Sequence, residues 1–170
     1  MKLTSFKDLF AILMNDVHCI EECSLKVLPV LAQKAHSKEL KKALENHLQE
    51  TKDQIKRTEK ACTKCQVSTA SVEWENPIKA IFDNAERFIN ENTPSALLDA
   101  AIIAIVQKIE HLQIAAYGTL AEYSKVIDEP EVKAIIAQSL KEEKQVDTLL
   151  TKLAKGGFFE AGINVAATKR

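Results

Sequence analysis

Apolar residues recur along this chain at helical spacing, in four long runs separated by polar joints. The first run spans roughly residues 5 to 35, with Phe6, Phe10, Leu13, Val17, Leu28 and Leu31 on one stripe. Pro29 falls late in it, where a bend of the last turn is expected. Ser37 reads as the N-cap of a second helix reaching about Cys65, marked by Leu40, Leu44, Leu48 and Ile55. A polar stretch, Gln66 to Glu75, leads to a short amphipathic piece, Pro77 to Asn90, with proline at a first-turn position. Thr93-Pro94 opens a third long helix running to about Lys125. Asp128-Glu129-Pro130 then turns the chain into a fourth, ending near Gly156-Gly157. The tail, FFEAGINVAATKR, has no clear period and is read as irregular.

These elements make two αα-hairpins joined by a long connection, residues 66–93. Neighbouring antiparallel helices need only about 2–8 linking residues, so a longer connection is free to travel the length of a bundle. The expected fold is all-α: a ferritin-like four-helix bundle with a long crossover carrying a short extra helix. With no Gly/Ser-rich linker, residues 1–156 read as one bundle domain and 157–170 as the irregular tail.

Composition narrows the classes further. Four Gly, four Pro and a 5% aromatic share leave little material for the turns of a β or α/β fold. No apolar run approaches the ~18–20 residues of a membrane span. The balance of 23 Lys+Arg against 24 Asp+Glu lacks the basic excess of a nucleic-acid binder, so no nucleic acid and no membrane are expected as partners. Lys7 and Asp8 interrupt the N-terminal stretch where a signal peptide would be apolar, so the expected location is cytoplasmic.

Several acids fall on apolar faces. Glu21 lies in line with Phe10, Met14, Val17 and Leu28. Glu110 shares an azimuth with Ile103, Val106, Ile114 and Tyr117, and Glu143 with Ile136, Ser139, Val146 and Leu150, with Asp147 one turn on. Glu50 is at the edge of its stripe, near His47 and Gln54. Glu21 and Glu50 are equidistant from the first hairpin turn, and Glu110 and Glu143 from the second, so each hairpin presents two glutamates at one level. Five such acids in a core repel one another unless cations balance them, and two divalent ions nearly do. Oxygen donors on facing helices suit iron or manganese. The Glu-x-x-His signature of di-iron bundles is absent here. Glu50 is followed at i+4 by Gln54, and Glu143 by Asp147, which gives an oxygen-rich set of Glu21, Glu50, Gln54, Glu110, Glu143 and Asp147.

Residues 44–57, LENHLQETKDQIKR, 107–120, QKIEHLQIAAYGTL, and 142–147, EEKQVD, resemble the YciE/YciF family of bacterial ferritin-like stress proteins. The resemblance covers about Phe6 to Leu153, and its most specific part is Q-K-x-E-H-x-x-I-A-x-Y-G-T-L. It implies a homodimer and a dinuclear metal site on the six matching residues. It also implies a stress-response role. His18 and Cys19 stand where the family tends to have Tyr and a small residue, a departure close to Glu21.

Other groups have blander readings. Cys19-x-x-x-Cys23 and Cys62-x-x-Cys65 are expected about 15 Å apart along the bundle axis, too far for one four-thiolate centre, and read as reduced thiols. His47 and His111 are expected to orient carboxylates from behind, with His18 and His36 at the surface. Tyr117 reads as a core tyrosine. The third helix is also apolar at Ile102, Ile105, Ile109, Leu112 and Ala116, which asks for cover from the crossover helix or a dimer partner. The expected function is a dinuclear iron or manganese protein that oxidises Fe(II) or consumes O2 or peroxide, a di-iron oxidase or peroxidase type of activity. The alternative is a non-catalytic helical stress protein acting through partners.

Overall fold

The computed structural model describes residues 3–68, 77–157 and 161–168. Most of the polar stretch 66–75, and Phe158 to Glu160 of the tail, lie outside the described residues. Among the described residues six helices follow in chain order: α1 (Phe6–Lys34), α2 (Lys38–Cys65), α3 (Pro77–Asn90), α4 (Ala96–Val126), α5 (Pro130–Lys155) and α6 (Ile163–Ala166). The long helices start where local chemistry supplies the orphan amides of a first turn. Ser5 forms a capping box with Asp8, the Ser37 hydroxyl accepts from the Leu40 amide at 3.2 Å, and the Ser95 hydroxyl from Leu98 at 3.1 Å. Pro130 opens α5 at a position whose amide needs no helical partner. Pro29 lies on the exposed side of α1, and the helix continues to Lys34 beyond it.

Helix α1 packs on α2 and α4, and α5 packs on α2 and α4, so the four long helices form a ring in the order α1, α2, α5, α4. Across the α2–α5 seam, Lys64 pairs with Glu131 and Gln54 reaches Glu143, so later positions on α2 meet earlier ones on α5 and the two run antiparallel. All neighbours in the ring are then antiparallel. Helices α2 and α4 are diagonal and parallel, and the chain between them must traverse the bundle. Helix α3 rides on that crossover, packed chiefly along α1. This is the all-α, ferritin-like arrangement expected from the length of the connection.

Asp99 ties the two hairpins together at one end of the bundle. Its carboxylate accepts the His36 and Ser37 amides at 2.8 Å each, just before the first turn of α2. The C-terminal segment folds back onto the bundle, with Gly156 bridged to Ala161 and α6 packed on α4 and α5. A side chain at 162 would put a Cβ 2.2 Å from the Lys155 carbonyl carbon, so glycine permits this return. The helical turn 163–166 is too short to leave a periodic signature in the sequence.

Apolar side chains gather in two clusters. One holds Ile20, Val27, Leu28, Leu31, Leu40, Leu44, Ile102, Val106 and Leu150, joined by Phe82 and Ile89 of α3. Ile105, Leu112 and Ile163 pack against it, and both α3 and α6 touch α4. The other holds Phe10, Met14, Val17, Tyr117, Leu120, Val132 and Ile136. Cys62 and Cys65 are buried in this second cluster while Cys23 packs against the first, so the thiols do not converge.

Candidate metal centre

Between the two clusters lies a buried polar layer to which all four long helices contribute. Helix α1 gives Glu21 and Ser24, α2 gives His47, Thr51, Gln54 and Thr58, α4 gives Glu110, Gln113 and Tyr117, and α5 gives Ser139 and Glu143. On α2 the polar residues continue the stripe of Leu40 and Leu44 through His47, Thr51, Gln54 and Thr58, so the packing that buries the leucines buries them too.

The centre of the layer is His47, Glu110 and Glu143, each offering one donor atom within 4.8 Å of the others. His47 Nε2 stands 3.0 Å from Glu110 Oε1. The Gln54 amide donates to Glu143 Oε1 and, at 3.2 Å, to Glu142 Oε2. Arg57 pairs with Glu142, closing the α2–α5 seam on the outside. Opposite, Glu21 Oε1 accepts from the Tyr117 hydroxyl at 2.5 Å and from the Gln113 amide at 3.2 Å.

Of the six residues expected from the sequence, Glu21, Gln54, Glu110 and Glu143 are fully buried in the layer. Glu50 and Asp147 sit at its rim. The Glu50 side chain is 44% exposed, with its carboxylate 3.8 Å from His47 Nδ1. The Asp147 side chain is 22% exposed and accepts from the Gln107 amide at 3.0 Å, with His111 Nε2 at 3.7 Å. His47 is more central than its expected place behind Glu50. The signal was its seven-residue spacing from both Leu40 and Gln54, which puts it on the stripe, whereas Glu50 lies about 60° off that line.

Three carboxylates against one imidazole leave this layer short of positive charge. Burial raises Glu21 to about 7, against the opposing pull of the Tyr117 hydroxyl, His47 and the Gln113 amide. Burial and the adjacent Glu110 hold Glu143 well above the usual carboxylate range. Burial opposes charge on His47, yet Glu110, Glu50 and Glu143 together hold it well above the ordinary histidine value. Burial, followed by Glu21, pushes the Tyr117 hydroxyl well above a free phenol.

Hydrogen bonds do not complete the layer either. Glu21 Oε2, Gln54 Oε1, Glu110 Oε2, Gln113 Oε1 and Glu143 Oε2 are buried acceptors without a hydrogen-bond donor, while Glu110 Oε1 faces His47 Nε2 alone. Each such acceptor costs about 1–3 kcal/mol if left unmade. Buried oxygen acceptors from all four long helices, with His47, Glu110 and Glu143 grouped among them, fit a hard or borderline divalent cation.

A four-helix bundle with one crossover and an acidic layer across its middle is the architecture of the ferritin-like class. Within that class, the chain belongs to the family described as a domain of unknown function, DUF892, which it matches over residues 5–162. It is 30% identical over 164 residues to Protein YciF of Escherichia coli (strain K12), covering 91% of this chain and 93% of that protein. The crystal structure of the E. coli stress protein YciF superposes with a TM-score of 0.81 at 29% identity, over 89% of this chain and 95% of that one. YcfI of Rhodopseudomonas palustris gives 0.82 at 29% identity, over 90% and 97%. A Xanthomonas campestris pv. campestris protein, 19% identical over 87% and 89% of the two chains, shares the fold with a TM-score of 0.69. The family resemblance carried by QKIEHLQIAAYGTL thus holds across nearly the whole chain. Among the described residues, no helix is long and apolar enough to cross a membrane.

Proposed function

We propose that this chain holds two divalent metal ions, iron or manganese, in the middle of its bundle. In this reading it works as a ferritin-like stress protein. The observation that carries the proposal is the set of five buried oxygen acceptors without donors in one layer, with His47, Glu110 and Glu143 grouped within ligand distance at its centre. A core that needed only packing would have replaced them with apolar groups at no loss. Glu110 and Glu143 hold the metals centrally, with His47 as the nitrogen donor and Glu21 and Gln54 completing the interior. Glu50 and Asp147, at the rim, would be the outermost ligands. Ionised, the five acids carry −5, which two divalent ions nearly balance.

Iron held there supplies redox chemistry toward O2 or peroxide, and Fe(II) oxidation or peroxide consumption under stress is the activity we propose. The chain's own contribution is electrostatic and steric. The carboxylates favour the more highly charged cation, the apolar clusters above and below limit water, and the Arg57–Glu142 pair shields the α2–α5 seam. The E. coli relative is described as a stress protein, and we extend that role to this chain. We further propose a homodimer, which light scattering on the purified protein would check.

Metal analysis of protein purified without chelator, followed by Fe(II) titration under air, tests the centre. About two metals per chain, lost in Glu110→Ala, are expected. Absence of stoichiometric metal with unchanged behaviour of Glu110→Ala would overturn it. Stoichiometric metal without Fe(II) oxidation would leave the centre standing and favour a non-catalytic protein that acts through partners.

A further inference from the structure

Glu21 is held by one oxygen and bare at the other. Its Oε1 accepts from Tyr117 at 2.5 Å and Gln113 at 3.2 Å, while Oε2 is buried without a hydrogen-bond partner. Positions 110, 113 and 117 share one stripe of α4. That helix therefore carries one central carboxylate of its own and two donors addressed to the carboxylate of the facing helix α1. Tyr117 is itself fully buried, its ring in the cluster with Phe10 and Met14 and its hydroxyl 3.4 Å from the Thr58 hydroxyl. Packing fixes the ring, and the ring fixes where the hydroxyl points. For packing alone, phenylalanine would serve as well, without the cost of burying a hydroxyl.

We infer that Tyr117, seconded by Gln113, is a positioning residue that pins Glu21 through Oε1 and so presents Oε2 to a divalent cation. The inference rests on the metal-centre reading above. Donors behind a ligating group commonly change metal affinity 10–100-fold when removed, because the ligand then has to be ordered at the moment of binding.

Co(II) is the probe. Its affinity and visible absorption are measured for the wild-type chain, Tyr117→Phe, Glu21→Gln and the double variant. Tyr117→Phe is expected to keep its helicity, bind Co(II) about 10–100-fold more weakly and alter the absorption bands. In the Glu21→Gln background the same change should add nothing, since it acts through Glu21. Equal affinities of wild type and Tyr117→Phe would overturn the inference, and so would losses that simply add. Wild-type protein that binds no Co(II) would overturn the metal-centre reading and this one with it, a different outcome from good binding in both chains. Should Tyr117→Phe fail to fold, Gln113→Leu enters the same cycle with a smaller expected loss, again absent beside Glu21→Gln.

Discussion

Two regions of this bundle bury carboxylates, and they do so in opposite ways. At the hairpin end, Asp99 is 1% exposed and accepts two backbone amides at 2.8 Å each. In the middle, Glu21, Glu110 and Glu143 are buried equally well but keep three oxygens without donors. Burial of an acid is thus not by itself a sign of a site. What separates the two is whether the surrounding chain supplies the hydrogen bonds. Asp99 finds them in the unmade amides of a helix start and acts as a structural clasp. The glutamates face one another, two amides, a phenol and one imidazole, fewer donors than they have oxygens, and the proposed cation would complete them.

The largest effect should come from cutting the clasp. Asp99→Ala strips the His36 and Ser37 amides of their acceptor and separates the two hairpins at that end. A loss of about 2–4 kcal/mol in urea denaturation is expected, the same with chelator or with metal. A loss that metal restores would place Asp99 with the middle glutamates after all.

The second contrast is in pH. Glu21 has a folded value of about 7 against an ordinary 4.5. Between those values the unfolded chain has released a proton that the folded chain retains, so folding stability falls as pH rises, and the loss is complete above about 7. The difference is on the order of 3 kcal/mol. Denaturation midpoints in EDTA should decline from pH 5 to 8, and saturating Mn(II) should reverse the trend because cations bind the deprotonated carboxylates. A flat or rising chelated profile would mean that the middle layer is as well satisfied as Asp99.

A smaller effect grades the layer from centre to rim. Glu50→Gln and Asp147→Asn should weaken Mn(II) binding by about tenfold or less, with larger losses for Glu110→Gln. Equal losses would bring the rim acids fully into the centre. This ranking is the part of the site that periodicity left unresolved. The fold was legible in the sequence because long amphipathic runs, capping serines and one long connection all point the same way. The level of the acids was legible too, since hairpin arithmetic depends only on helical rise. Azimuth was harder to read. Glu50 and His47 differ by only about 60° around α2, and the one signal that His47 turns inward is its seven-residue spacing from Leu40 and Gln54. The clasp at Asp99 was not legible at all, because its partners are backbone amides of another hairpin, which carry no side-chain signature. The α6 turn escaped for a similar reason, since it depends on the return at Gly162.

The smallest effect has the sharpest sign. Burial and Glu110 hold Glu143 well above the usual carboxylate range, so in metal-free protein it tends to keep its proton, and a protonated glutamate closely resembles glutamine in shape and charge. Glu143→Gln should therefore leave the chelated protein within about 1 kcal/mol of wild type, or slightly more stable, while it abolishes tight metal binding. Asp99→Ala does the reverse, costing stability and leaving the metal untouched. If Glu143→Gln instead destabilised the chelated protein as much as Asp99→Ala does, the middle carboxylates would be structural partners of the fold. The demand for a cation would then fall away. If it did not, the two buried acids would be separated by experiment as they are by their hydrogen bonds, one serving the fold and one kept incomplete for a ligand.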